Sequence, residues 1–243
     1  MTQINYCQHS DPIPLISRSK SPAIVFGHAD GDGHLAAEQT RNNLEIAGVR
    51  VEKLVVGAET WNYSFWERSF QRQDFDEYNL VVAVDIAFNF RDPQKSLTTV
   101  LGTVDRHPST QFIIIDHHPL KPPEIPRGNL WMLEVDTPYQ CCIGRPSNEL
   151  MVLADLCDQA GDLPKTKVSA NLLQRAIGIR RAAADVNGVA GSGLLRLLRN
   201  RRWDFFDALG QEPSEFHLTA RGRRRRISPN SPLLDHANQG LYA

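Results

Sequence analysis

The 243-residue sequence is short of the features that would place it outside a cell or in a membrane. Its four cysteines, Cys7, Cys141, Cys142 and Cys157, form no C-x-x-C pair. The vicinal Cys141 and Cys142 are badly placed to staple a small secreted framework, so all four read as buried thiols. The opening stretch MTQINYCQHSDPIPLISRSK holds no apolar core of signal-peptide length, and the apolar run LVVAVDIAF is far shorter than a membrane span. A cytoplasmic protein with no membrane partner is expected. No repeat of solenoid length is visible. A composition of 41% hydrophobic and 23% charged residues excludes a chain that is disordered throughout.

Charge is nearly balanced at a net −1 but unevenly spread. Between Arg175 and Arg226 twelve arginines face five acidic residues, so the rest of the chain is acidic. The final stretch RGRRRRISPNSPLLDHANQGLYA reads as a flexible tail or a partner-binding arm.

What is present is an alternation of periods. Strands are expected at 22–27, 50–56, 79–85 and 111–116 and in LWMLEV, with helices at 34–47, ended by Gly48, and at 93–104, begun by Pro93. From Pro146 onward the pattern is helical, punctuated by Gly161, Pro164 and Gly188. Strands separated by helix-sized segments imply an α/β fold: a doubly wound, mainly parallel sheet with flanking helices, followed by a helical region. The aromatic-rich link ETWNYSFWERSFQRQDFDEYN has no period that assigns it.

Three of the expected strands end in the same chemistry. IVFGHADGD runs from an apolar strand into His28, Asp30 and Asp32, NLVVAVD ends at Asp85, and QFIIIDHH ends in Asp116, His117 and His118. Parallel strands carry their C-terminal ends to one edge of the sheet, so these groups are expected to share a cleft. Carboxylates crowded in one cleft repel each other unless a cation sits among them. Mixed carboxylate and imidazole donors suit Mn²⁺, Fe²⁺ or Zn²⁺ better than Mg²⁺ alone, and their number suggests two ions, an arrangement that serves phosphoester hydrolysis. Taken singly, Asp85 reads as a helix N-cap, and His117 or His118 as a core histidine.

In that order and spacing, the three motifs resemble the DHH phosphoesterase superfamily, on the RecJ-like side, over roughly residues 22–190. The resemblance implies a metal-dependent phosphodiesterase of nucleic acid or short oligonucleotides, working by a two-metal hydroxide mechanism with two Mn²⁺ ions or Mg²⁺ in their place. It implies that His28, Asp30 and Asp85 hold one ion and that Asp32, Asp85, His117 and Asp185 hold the other. Asp185 in LLQRAIGIRRAAADVNG supplies the family's fourth motif, with Asp136 second and Asp155 third. Asp116 then orients a histidine, and His118 faces the scissile phosphate as a hydrogen-bond donor or acid.

The chain divides on this reading into an N-terminal extension over 1–21, a DHH-type catalytic domain over 22–200, and a short helix with a basic tail over 201–243. It has no Gly-Gly pair and so no counterpart of the family's Gly-Gly-His substrate-gripping motif. Substrate grip is left to the helical region, to another protomer or partner protein, or to Arg221, Arg223, Arg224, Arg225 and Arg226 on backbone phosphates.

Two readings from other classes stand beside this one. A catalytically silent DHH-fold scaffold in a nucleic-acid complex is the first, although such a module has no need of a full set of repelling carboxylates. A Rossmann oxidoreductase is the second, because GDGHLA fits G-x-G-x-x-A. Two aspartates among those glycines would repel a pyrophosphate, and no acid ends the second strand. His9, His34, His107, His217 and His236 lack motif support. Asp105-Arg106-His107 falls between a helix end and a strand start, the wrong edge of a parallel sheet, and the Arg199–Arg202 cluster reads as a solvated helix face.

Overall fold

The computed structural model describes residues 21–57, 60, 64–121, 123–146, 148–159, 169–184 and 192–211. Five strands, β1 (Ala23–Gly27), β2 (Val51–Val55), β3 (Leu80–Val84), β4 (Gln111–Asp116) and β5 (Leu130–Glu134), form one sheet in the order β2-β1-β3-β4-β5. Every neighbouring pair is parallel. Seven helices complete the described chain: α1 (Gly31–Ile46), α2 (Phe65–Arg68), α3 (Pro93–Arg106), α4 (Asn148–Asp158), α5 (Ala170–Ala184), α6 (Ser192–Arg199) and α7 (Trp203–Gln211). This is the α/β doubly wound sheet with a helical region after it. The strand order reverses direction between β1 and β3, and such switch points leave a crevice at the C-terminal ends of the strands.

The central strands β1 and β3 are apolar throughout because both of their faces are covered, whereas the edge strand β2 exposes Glu52 and Lys53. Ala23 and Val25 of β1, Leu80, Val82 and Val84 of β3, and Ile113 and Ile115 of β4 face a core shared with α1 and the C-terminal helices. Their alternates Ile24, Phe26, Val81, Ala83, Phe112 and Ile114 face a second core with α3. The link that had no readable period fills that second core. It folds into α2 and a single 3₁₀ turn and buries Phe65, Trp66, Phe70 and Phe75; Phe70 and Phe75 pack edge-on against Phe26 and Phe112, and Phe65 and Trp66 pack on Phe70. Four large aromatics need no helical or strand period to be buried; they need only a sheet face wide enough to take them.

Two of the boundaries that move matter for the site. The helix expected from residue 34 begins at Gly31, because the Asp30 side chain accepts the Gly33 N–H at 3.1 Å and caps it. Asp32 therefore sits in the first helical turn rather than in the preceding loop. The strand expected through residue 85 ends at Val84, and Asp85 takes a left-handed backbone with φ of 58°. Of the four cysteines, Cys141, Cys142 and Cys157 are buried, and Cys7 lies outside the described residues. Arg199, expected on a solvated face, reaches to 3.7 Å from Glu38, a buried acid also paired with Arg41.

Candidate metal centre

Each motif enters the cleft from a strand end. The β1–α1 turn is tight: a Cβ on Gly33 would collide with the His28 backbone, so only glycine allows the chain to fold back there. The turn brings His28 Nδ1 to 2.6 Å from Asp30 Oδ2. Asp85, directly after β3, is fixed by its N–H donating to Ile115 O at 2.9 Å. Its left-handed backbone is strained for most residues but tolerated by aspartate, and such outliers gather at functional sites. Asp116 ends β4, and one of its oxygens, Oδ1, accepts both the His118 N–H at 3.0 Å and His118 Nδ1 at 2.8 Å. The histidine that Asp116 orients is thus His118.

Three overlapping groups result, each with its donor atoms within 4.8 Å of one another: His28, Asp30 and Asp85; Asp85, Asp116, His117 and His118; and Asp32, His117 and Asp158. Asp158, at the end of α4, was not among the expected residues. Of the fourth-motif candidates, Asp185 lies outside the described residues. Asp136 follows β5, is in none of these groups, and has its own N–H bonded to Gln140 Oε1 at 3.0 Å. Asp155 is engaged by the Tyr139 N–H at 2.6 Å, one helical turn before Asp158. Arg221, Arg223, Arg224, Arg225 and Arg226 also lie outside the described residues.

The electrostatics of the cleft are those of crowded acids. Burial, and then the charges of Asp30 and Asp158, push the Asp32 carboxyl well above the usual range. Burial together with Asp32, Asp30 and Asp116 does the same to Asp85. Asp30 goes the other way: burial opposes its charge, but the His28 ring and the Gly33 N–H hold it well below the usual range. His117 is lowered by burial and by its neighbour His118, whereas His118 is raised by its hydrogen bond to Asp116.

Three buried polar atoms in this cleft, Asp85 Oδ1, Asp116 Oδ2 and His117 Nε2, have no hydrogen-bond partner. A buried polar atom left unsatisfied costs about 1–3 kcal/mol. The donor set therefore fits a divalent cation, which would satisfy Asp85 Oδ1 and His117 Nε2 and offset the repulsion together.

A further cluster, Asp74, Asp76 and His107, lies at the opposite, N-terminal edge, with His107 Nδ1 2.7 Å from Asp76 Oδ1. His34, without motif support in the sequence, is a core histidine at 0% exposure.

The sequence matches no protein-family profile, and no curated protein is similar to it. Among solved structures, it is similar to RecJ in complex with Mn²⁺ from Thermus thermophilus, at 18% identity and a TM-score of 0.33 over 78% of this chain and 28% of that one. It is also similar to an exonuclease RecJ bound to manganese, at 16% identity and a TM-score of 0.32 over 82% of this chain and 46% of that one. The chain spans less than half the length of either.

Proposed function

We propose that the chain is a metal-dependent phosphodiesterase of nuclease type, acting on nucleic acid or short oligonucleotides. The observation that carries this reading is the pair of orphaned, buried ligand atoms, Asp85 Oδ1 and His117 Nε2, among the carboxylates at the sheet's switch point. His28, Asp30 and Asp85 would hold one Mn²⁺, and Asp32, Asp85, His117 and Asp158 the other, with Mg²⁺ as substitute. Asp185 is the alternative to Asp158. Bound there, the pair of ions supplies an activated water and neutralises the phosphoryl oxygens.

The remaining work falls to this chain's own side chains. Asp116 fixes the His118 ring through Nδ1 and leaves Nε2 to meet the substrate. The same hydrogen bond favours the protonated ring, so Nε2–H can donate to a phosphoryl oxygen and give its proton to the alkoxide that leaves. His118 is the acid in this reading, and Asp116 positions it.

The division into an extension over 1–21, a catalytic unit over 22–200 and a terminal part over 201–243 is kept, with α7 of that last part packed on α5. The Arg221–Arg226 run is proposed to recruit polyanions, and a partner protein or second protomer remains an added source of grip. A cytoplasmic setting belongs to the same reading. Among the described residues no helix is long and apolar enough to cross a membrane.

The test is metal analysis beside a turnover assay. The full-length protein with Mn²⁺ is expected to bind two ions and to cleave DNA, RNA or a dinucleotide, to lose activity in EDTA, and to regain it with Mn²⁺. Two bound ions with no cleavage of any of these substrates would overturn the hydrolase reading in favour of a silent nucleic-acid-binding module.

A further inference from the structure

Phe90 is out of place for a large aromatic. It is 56% exposed, and its ring centroid lies 5.8 Å from that of His118, which in turn lies 4.1 Å from that of His117. The three rings are in successive contact, from the exposed Phe90 through His118 to His117 beside the buried Asp85.

The loop that presents Phe90 is held at several points. Ile86 and Phe88 are buried in the second core, and Trp66 Nε1 donates to Ala87 O at 3.1 Å. The Asn89 N–H donates to Ser96 Oγ at 3.0 Å, and the Ser96 hydroxyl donates to Glu67 Oε1 at 2.7 Å. Asn89 Oδ1 accepts the Arg91 N–H at 3.0 Å, closing a turn around Phe90 itself. A ring carried on an anchored turn loses little freedom on meeting a ligand, so more of the contact energy appears as affinity.

We infer that Phe90 is a stacking platform for the nucleobase next to the phosphate that His118 faces, an inference that rests on reading the cleft as one that takes nucleotides. A base lies one sugar away from its phosphate, and Phe90 lies one ring away from His118. The site matches one base rather than a protein partner. The other exposed large apolar residues among those described are Ile46, on the last turn of α1, Ile125, between β4 and β5, and Ile177 on α5. The neighbours of Phe90 in sequence are the polar Asn89 and Arg91. A specific protein interface needs roughly 800 Å² from each partner, far more than one ring offers. Stacking tolerates every base, so Phe90 confers preference for nucleotides over plain phosphate esters without reading sequence.

The test compares ligands that differ only in the base. Binding of adenosine 5′-monophosphate and of ribose 5-phosphate to the full-length protein in Mn²⁺ is measured by calorimetry for wild type, Phe90→Ala and Phe90→Tyr. Wild type is expected to favour the nucleotide by roughly tenfold or more, Phe90→Ala to lose that preference with ribose 5-phosphate binding unchanged, and Phe90→Tyr to keep it. A preference that survives in Phe90→Ala, an equal loss for both ligands, or a wild type with no preference would each overturn the assignment. Preference for the base in a protein that cleaves no phosphodiester leaves the platform standing and overturns only the hydrolase reading. Cleavage with no preference does the reverse.

Discussion

His117 Nε2 lies 3.1 Å from Asp85 Oδ1, yet neither atom has a hydrogen-bond partner. Two potential ligand atoms this close to each other, with no hydrogen bond between them, are placed as ligands of one ion would be. Asp85 shares one group with His28 and Asp30 and another with His117, so it is the residue that the two proposed ion positions would share. Asp85→Asn is expected to abolish turnover and to lower bound Mn²⁺ from two ions towards one or none. The metal-free protein is expected to keep its fold or gain stability, since a carboxyl pushed up by burial and by its acidic neighbours is removed. Asparagine is the right replacement because Ala at φ of 58° would add strain of about 1 kcal/mol or more. Metal content by mass spectrometry and melting in EDTA check both halves. Full turnover in the variant would sink the bridging role.

The fourth ligand separates by position. Asp158 shares a group with Asp32 and His117, whereas Asp136 is in none of the cleft's groups. Asp158→Asn is expected to weaken Mn²⁺ binding at one position by tenfold or more, and Asp136→Asn to leave it unchanged, as read by metal titration. The opposite pattern would move the ligand to the loop after β5.

Asp158 also shows where reading the sequence stops. The three strand-end motifs were legible because each follows an apolar run, and in a parallel sheet all such ends meet at one edge, so His28, Asp30, Asp32, Asp85, Asp116, His117 and His118 could be grouped without coordinates. Asp158 belongs to no strand end. It reaches the cleft because α4 packs along α1, a tertiary contact that no local period announces. Asp155, one turn earlier, was on the right helix but is used by the Tyr139 N–H. The aromatic link was opaque for a related reason: Phe65, Trp66, Phe70 and Phe75 are ordered by the sheet face they cover.

His34 makes the stability of the metal-free protein depend on pH. Burial lowers its pKa from 6.5 to about 4, so the folded protein refuses a proton that the unfolded chain accepts. Its contribution is fully present above pH 6.5 and is lost as pH falls towards 4, by up to about 3 kcal/mol. His34→Asn keeps a donor near the Nδ1 position, which lies 2.5 Å from Asp30 O, and removes the titration. Denaturant melts in EDTA at pH 7 and pH 4.5 are expected to show a smaller acid loss in the variant than in wild type. Equal losses would show that His34 titrates normally in the fold.

The helical region is closed by a backbone contact between α5 and α7. A Cβ on Gly178 would strike the Phe206 carbonyl, and one on Gly210 would strike the Gln174 carbonyl, so each helix needs glycine where the other approaches. Gly178→Ala is expected to cost about 3 kcal/mol, because neither backbone can move aside without unpacking the pair. Gly102 in α3 is the control, since a Cβ there meets nothing within 4 Å. Gly102→Ala is expected to stabilise by about 0.5–1 kcal/mol through helix propensity. Thermal melts of both variants decide; a neutral Gly178→Ala would mean that α7 is held loosely.

The basic tail offers the last prediction. The cleft is lined by carboxylates, and an acidic site repels a polyanion unless a basic element draws it in. Arg221, Arg223, Arg224, Arg225 and Arg226 concentrate five positive charges in six residues. Each phosphate contact to a single strand releases counterions and contributes roughly 0.7 to the slope of log affinity against log salt. If most of the five arginines make such contacts, deleting residues 221–243 should flatten that slope by roughly 2 to 3 units on an oligonucleotide. Hydrolysis of a dinucleotide, which has a single bridging phosphate to engage, should barely change. Binding isotherms between 50 and 300 mM salt, of the order used to resolve such slopes, provide the measurement. An unchanged slope, or an equal loss on both substrates, would leave the arginines as a solvated tail and return the question of substrate grip to the helical region.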